Sequence, residues 1–121
     1  MMMSHSPEQA AIASELVRQL DRYEDGLREL LQRRWDPELY RQLSDLFDQM
    51  QMHAMSLPTL SVSWTELIIS RVDLTQALWT VSSPSRINGK VVALHAKHKV
   101  LVDEVRRKCR AYVARGERLG I

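Results

Sequence analysis

One cysteine, four glycines and four prolines in 121 residues already rule out several classes of protein. Cys109, being alone, allows no internal disulfide and no cysteine-based zinc site within one chain, which suits a reducing cytoplasm, the expected location. Glycine is too scarce for a Gly-rich phosphate cradle, and Asn88-Gly89-Lys90 lacks the spacing of one. Aromatic residues make up 6% and do not interleave with basic ones, and no tight Gly turn marks a helix-turn-helix, which disfavours a nucleic-acid reader. No uninterrupted apolar run approaches membrane-spanning length, and Met1 to Glu8 shows no basic segment leading into an apolar one, so neither a membrane span nor export is expected. No solenoid-period repeat is visible. The clustered carboxylates Asp21/Glu24/Asp25 and Asp45/Asp48 read as solvated helix faces, so no enzyme is expected and no cofactor is implied.

What is present is 45% hydrophobic residues at helical spacing, enough for one domain over residues 1–121 with fraying expected at 1–5 and 116–121. Ser6-Pro7-Glu8-Gln9 has the form of a capping box, and Ala13, Leu16, Leu20, Tyr23, Leu27 and Leu30 follow as one stripe, predicting a helix near 7–34. The pairs Glu24/Arg28 and Glu29/Arg33 stand in favourable i,i+4 order on its flanks. Asp36-Pro37-Glu38 starts a second helix near 37–56, with Trp35 placed to staple onto Tyr40 and a core stripe of Leu39, Leu43, Leu46, Met50 and His53. Pro58 stops it. Residues 58–63 read as an extended connector, and Ser63-Trp64-Thr65-Glu66 as a capping box opening a third helix near 64–81. Ser82-Ser83-Pro84-Ser85 breaks the chain before a long fourth helix near 89–115, striped by Val91, Leu94, His98, Leu101, Val105, Cys109 and Tyr112. The expected fold is therefore all-α: a four-helix antiparallel up-down bundle, with a swapped helical-hairpin dimer as the alternative assembly.

Three polar residues fall inside apolar arcs on helical wheels: Glu24, Arg71 and His98. Depth along the helices brings them to one level, and a buried charge needs a partner, so Glu24 is the expected partner of Arg71. Such a layer either fixes helix register or floors a ligand site. His95 and His98 stand at i,i+3, a spacing able to hold a metal on one helix face, although no third ligand is evident in sequence. Met50-Gln51-Met52-His53-Ala54-Met55 resembles a soft-metal run but reads better as adaptable core filling, and Cys109 falls on the core face rather than with its arginine neighbours.

Charge is distributed unevenly. Residues 1–85 carry 7 basic and 12 acidic side chains, net −5, whereas residues 86–121 carry 10 basic and 3 acidic, net +7. Either the last helix nests against acidic helices of its own bundle, or Lys99, Arg106, Arg107, Arg110 and Arg118 form a basic stripe for an acidic partner or a nucleic-acid backbone. Between Trp64 and Val81 only Glu66, Arg71 and Asp73 are charged, and Ile69 lies on the polar side. The third helix is thus either the most enclosed, the preferred reading, or partly an oligomer or partner surface. The function expected from these features is protein binding by a small cytoplasmic bundle, as an adaptor, a secretion-type chaperone or a regulator of a larger assembly. A nucleic-acid-associated protein is the alternative, and a metal or small-ligand binder the third.

Overall fold

The computed structural model describes residues 7–32, 36–79 and 89–118, with side chains to residue 116 in the last segment. They form α1 (Pro7–Gln32), α2 (Pro37–Met55), a 3-10 turn (Pro58–Leu60), α3 (Ser61–Trp79) and α4 (Gly89–Arg118), packed as a helical bundle. The expected Ser6 cap, the Trp35 staple, Arg33 and the Ser82–Ser85 break lie outside the described residues.

The predicted stripes of α1 and α2 are the core faces. Ala13, Leu16, Leu20, Tyr23, Leu27 and Leu30 are buried on α1; on α2 Leu43, Leu46 and Met50 of the stripe are buried together with Phe47 and Ala54, while Leu39 and His53 are only half-buried at its margin. Asp36 caps α2 as its position before Pro37 suggests: its carboxylate accepts from the backbone N–H of Glu38 at 3.1 Å and of Leu39 at 3.2 Å. On α4 the stripe is again buried, with Leu94 and Leu101 at its margin.

The start of α3 differs from the sequence reading. Ser63 is not an N-cap but a buried residue inside the helix, which begins at Ser61. The connector is not extended either: Leu57 has extended backbone, Pro58 opens a 3-10 turn, and Ser61 is already α-helical at φ −58° and ψ −42°. Hydrophobic burial decides this. Leu57 and Leu60 are completely enclosed, and the Thr59 N–H donates to the Tyr112 hydroxyl at 3.2 Å, so the turn is bolted onto α4 before the Ser-x-x-Glu pattern is reached. The end of α4 differs too, because helix continues through Gly116 to Arg118. Gly116 serves close packing rather than fraying, since a Cβ there would stand 2.6 Å from the Ala10 Cβ.

Contacts set the order of the helices. α1 packs on α2 and α4, and α3 on α4 and more lightly on α2. Residue numbers rise on one helix as they fall on its neighbour: Gln19 meets His53 and Gly26 meets Leu43 across α1 and α2, while Tyr23 meets His98 and Ala10 meets Gly116 across α1 and α4. Across α2 and α3, Phe47 stacks on Trp64 at 4.9 Å and Tyr40 stands edge-on to Trp79 at 6.3 Å.

Candidate functional site

Two features stand apart from ordinary core packing: a polar layer within the bundle and an apolar surface outside it. His98 is the centre of the layer, only 1% exposed. Its Nε2 lies 2.8 Å from the Tyr23 hydroxyl of α1 and its Nδ1 2.9 Å from the Ser70 hydroxyl of α3. A neutral imidazole has one donor and one acceptor nitrogen, and a hydroxyl can serve either, so the ring is fully satisfied without a charge. Burial, reinforced by His95 and Arg71, holds the His98 pKa down to about 4. Burial likewise raises the Tyr23 pKa, so that hydroxyl stays protonated.

Glu24 and Arg71 do not pair with each other. Arg71 turns to α2, where its Nη2 donates to the Ser44 hydroxyl at 2.8 Å and its guanidinium lies 4.6 Å from the Phe47 ring centre. Glu24 turns to α4 and binds Arg106. The wheel identified both as residues in apolar arcs but could not say which neighbouring helix each arc faces. Arg71 and His98 remain linked indirectly, because Arg71 lies on Phe47 and the Tyr23 ring touches both Phe47 and His98, at centroid distances of 5.5 and 5.6 Å.

Arg106 is the strongest departure from the expected basic stripe. Only 8% of it is exposed, and it gathers Asp21, Glu24 and Asp103 around its guanidinium. Burial alone would lower its pKa; the Glu24 hydrogen bond and the three carboxylates outweigh that and raise it. Lys99 reaches Glu24 at 3.5 Å and Asp103 at 3.7 Å. These two basic residues therefore complement acidic α1. Arg107 is exposed and bound along α4 to Glu104 at 2.6 Å, and Arg110 is exposed beside Arg18 and Val17 in an open groove between α1 and α4 of about 280 Å³. The Arg118 side chain lies outside the described residues.

His95 and His98 share the lining of a pocket of about 80 Å³ with Glu24, Arg28 and Lys99. Both His98 nitrogens are already engaged, and among the described residues no group of three or more His, Cys, Asp or Glu could hold a metal ion. Cys109 is buried and its thiol is pushed up to about 12, chiefly by desolvation, which keeps it from acting as a thiolate. The Met50 to Met55 run divides as its helical position requires, with Met50 in the core and Met52 and Met55 in solvent.

The outer face of α3 overturns the enclosed reading of this helix. Val62 is 68% exposed, Ile69 57%, Val72 47% and Trp79 62%. With exposed Thr65 and Gln76 they make a seam in alternating steps of three and four, opposite a core face that includes Leu67 and Leu74. Helix α3 is therefore apolar on two sides. Its signal was legible as a shortage of charge, but the shortage fits enclosure equally well until the neighbours are known. Ser70 was also missed as the partner of His98, although Ser63, Ser70 and Ala77 fall at heptad spacing, a run of small residues that suits close packing.

No described helix is long and apolar enough to cross a membrane. No family model, curated protein or solved structure matches this chain.

Proposed function

We propose that this protein works through protein contacts, as an adaptor, secretion-type chaperone or regulator of a larger cytoplasmic assembly, and that α3 carries the contact surface. The observation behind this is the exposure of Val62, Ile69, Val72 and Trp79 along one helix whose opposite face is already in the core. Isolated exposed apolar residues are ordinary, whereas four of them on one seam at coiled-coil spacing, with Thr65 and Gln76 between, are what a partner helix packs against. The nucleic-acid alternative has less support, because Arg106 and Lys99 are committed to α1 carboxylates and leave Arg107 and Arg110 as the exposed arginines of the stripe with described side chains.

A photo-crosslinking residue at Val72, beside Trp79 on the α2 side of α3, tests the reading in the native cell. Crosslinks to a defined protein from position 72, absent from a control at exposed Gln49 on α2 and abolished by Trp79→Ser, are expected. Equal labelling from both positions would refute a dedicated surface on α3.

A further inference from the structure

The seam on α3 is not uniform. Trp79 leans to α2, where it meets Tyr40, and Val72 lies on the same side of the wheel. Val62, Ile69 and Asp73 turn the other way, toward the outer edge of α4. There α4 exposes Ala93, Lys97, Val100 and Ala111, with Val100 66% exposed. The two helices thus present one shared face, on which Val62, Ile69, Ala93, Val100 and Ala111 alternate with Glu66 and Asp73 of α3 and Lys97 and Glu104 of α4.

We propose that this α3/α4 face joins two copies of the chain about a dyad parallel to the helices, so that α3 of each copy lies on α4 of the other. The proposal deepens the protein-contact reading by naming the occupant of one part of α3. Register carries it first. The Ser70–His98 and Thr59–Tyr112 hydrogen bonds fix α3 against α4, placing Ile69 level with Val100 and Asp73 level with Lys97 to within about 3 Å. A dyad parallel to the helices preserves level, so Ile69 of one copy meets Val100 of the other, and Asp73 meets Lys97, each contact occurring twice.

Charge then selects this arrangement over its alternative. A dyad perpendicular to the helices would lay α3 antiparallel on α3 and bring Glu66 and Asp73 of both copies into one contact with no basic residue to answer them, since Arg71 turns to α2. Like charges oppose that form. In the proposed form, the acidic group on α4 nearest Glu66 in level is Glu104, which is already neutralised by Arg107 at 2.6 Å and Lys108 at 3.9 Å. The face is also large enough. The 19 residues of α3 run about 28 Å, and two adjacent helices are roughly 20 Å wide, so the pair of faces removes about 1,100 Å² from solvent. Specific interfaces begin at roughly that size.

Sedimentation velocity of the full chain tests the dimer. A species of twice the 14.0 kDa chain mass is expected to grow with concentration and to fall by at least about a hundredfold in affinity in Ile69→Glu, with helical circular dichroism unchanged. Asp73→Lys and Lys97→Asp should each weaken it roughly fivefold, and their combination should restore it. A second measurement does not depend on how the variants fold. Single variants Ile69→Cys and Val100→Cys, mixed and oxidised, should give a mixed disulfide faster than either alone gives its own. Preferred Ile69→Cys self-linking, or a monomer at all concentrations to about 100 μM, would overturn the proposal. A monomer that still crosslinks from position 72 refutes the dimer and leaves the protein-contact reading standing; a dimer without that crosslink does the reverse.

Discussion

The seam between α1 and α4 and the outer face of α3 are both rich in residues that break a simple inside-outside pattern, yet they resolve in opposite ways. Along the first, each irregular residue finds a complement within the chain: Glu24 and Asp21 hold Arg106, and Tyr23 holds His98. Along the second, Val62, Ile69, Val72 and Trp79 remain largely in water. A polar residue in an apolar arc is costly until it is paired, so folding itself recruits the partner. An apolar residue on an exposed arc costs little in the folded monomer, so nothing inside the chain has to cover it. The first irregularity therefore reports on stability and the second on association.

The largest effect that would break this contrast lies at Arg106. Arg106→Ala should lower unfolding free energy by about 2–3 kcal/mol, because it leaves Glu24, only 18% of whose side chain is exposed, with exposed Lys99 at 3.5 Å in place of the buried guanidinium, while a combined Arg106→Met, Glu24→Leu replacement should recover most of the loss. Urea denaturation of the three proteins measures both numbers. A loss below about 1 kcal/mol in Arg106→Ala would mean that the seam is no better satisfied than the outer face.

Acid should act on the same seam. His98 ordinarily titrates near 6.5 and in the fold is held down to about 4, so as pH falls the unfolded chain takes up the proton first. Its contribution is whole above pH 6.5 and is lost on descending to about 4, a change of about 3 kcal/mol. Comparing wild type with His98→Gln from pH 7 to 4 isolates this change from that of the carboxylates. Parallel curves would show that the imidazole is not held neutral.

Smaller effects sharpen the comparison. Asp36→Ala should cost about 1 kcal/mol by freeing two N–H groups of α2, whereas Ser63→Ala, at a position that caps nothing, should stay within about 0.5 kcal/mol. Equal losses at the two sites would restore Ser63 as a cap. Smallest of all, Val72→Ser on the outer face should change stability by less than about 0.5 kcal/mol in thermal melts of dilute protein. A larger loss would place Val72 in the core.

Much of the bundle was legible from residue spacing. The stripes of α1, α2 and α4 point inward, and the Asp-Pro-Glu start of α2 caps it, because these features rest on interactions within a turn or two of one helix. The start of α3 was not legible: Ser63-Trp64-Thr65-Glu66 satisfies the local capping pattern, but Leu57 and Leu60 find burial sites against other helices and pull the start back to Ser61. The i,i+4 pair of Glu24 and Arg28 failed for a related reason. Glu24 turns to Arg106 across the bundle, and Arg28 takes Asp25 at 3.1 Å instead.

The polar layer was half legible. Glu24, Arg71 and His98 each stood out, since a polar residue in an apolar arc is visible in one dimension. Their partners were not, because partner choice depends on how each helix is rotated about its axis, and an error of about 100° exchanges one neighbour for another. The same rotation divides the basic residues of α4 between the interior and solvent.

By itself the sequence determined that the chain is helical, where three of its helices carry their core faces, and which residues are too polar for their surroundings, since all of these follow from periods of about 3.6 residues and local capping chemistry. Only the tertiary structure decided that Arg106 rather than Arg71 answers Glu24, that Tyr23 and Ser70 answer His98, and that α3 is apolar in water rather than enclosed. Those outcomes depend on which helix faces which and at what rotation, and that is settled by the summed packing of all the helices at once.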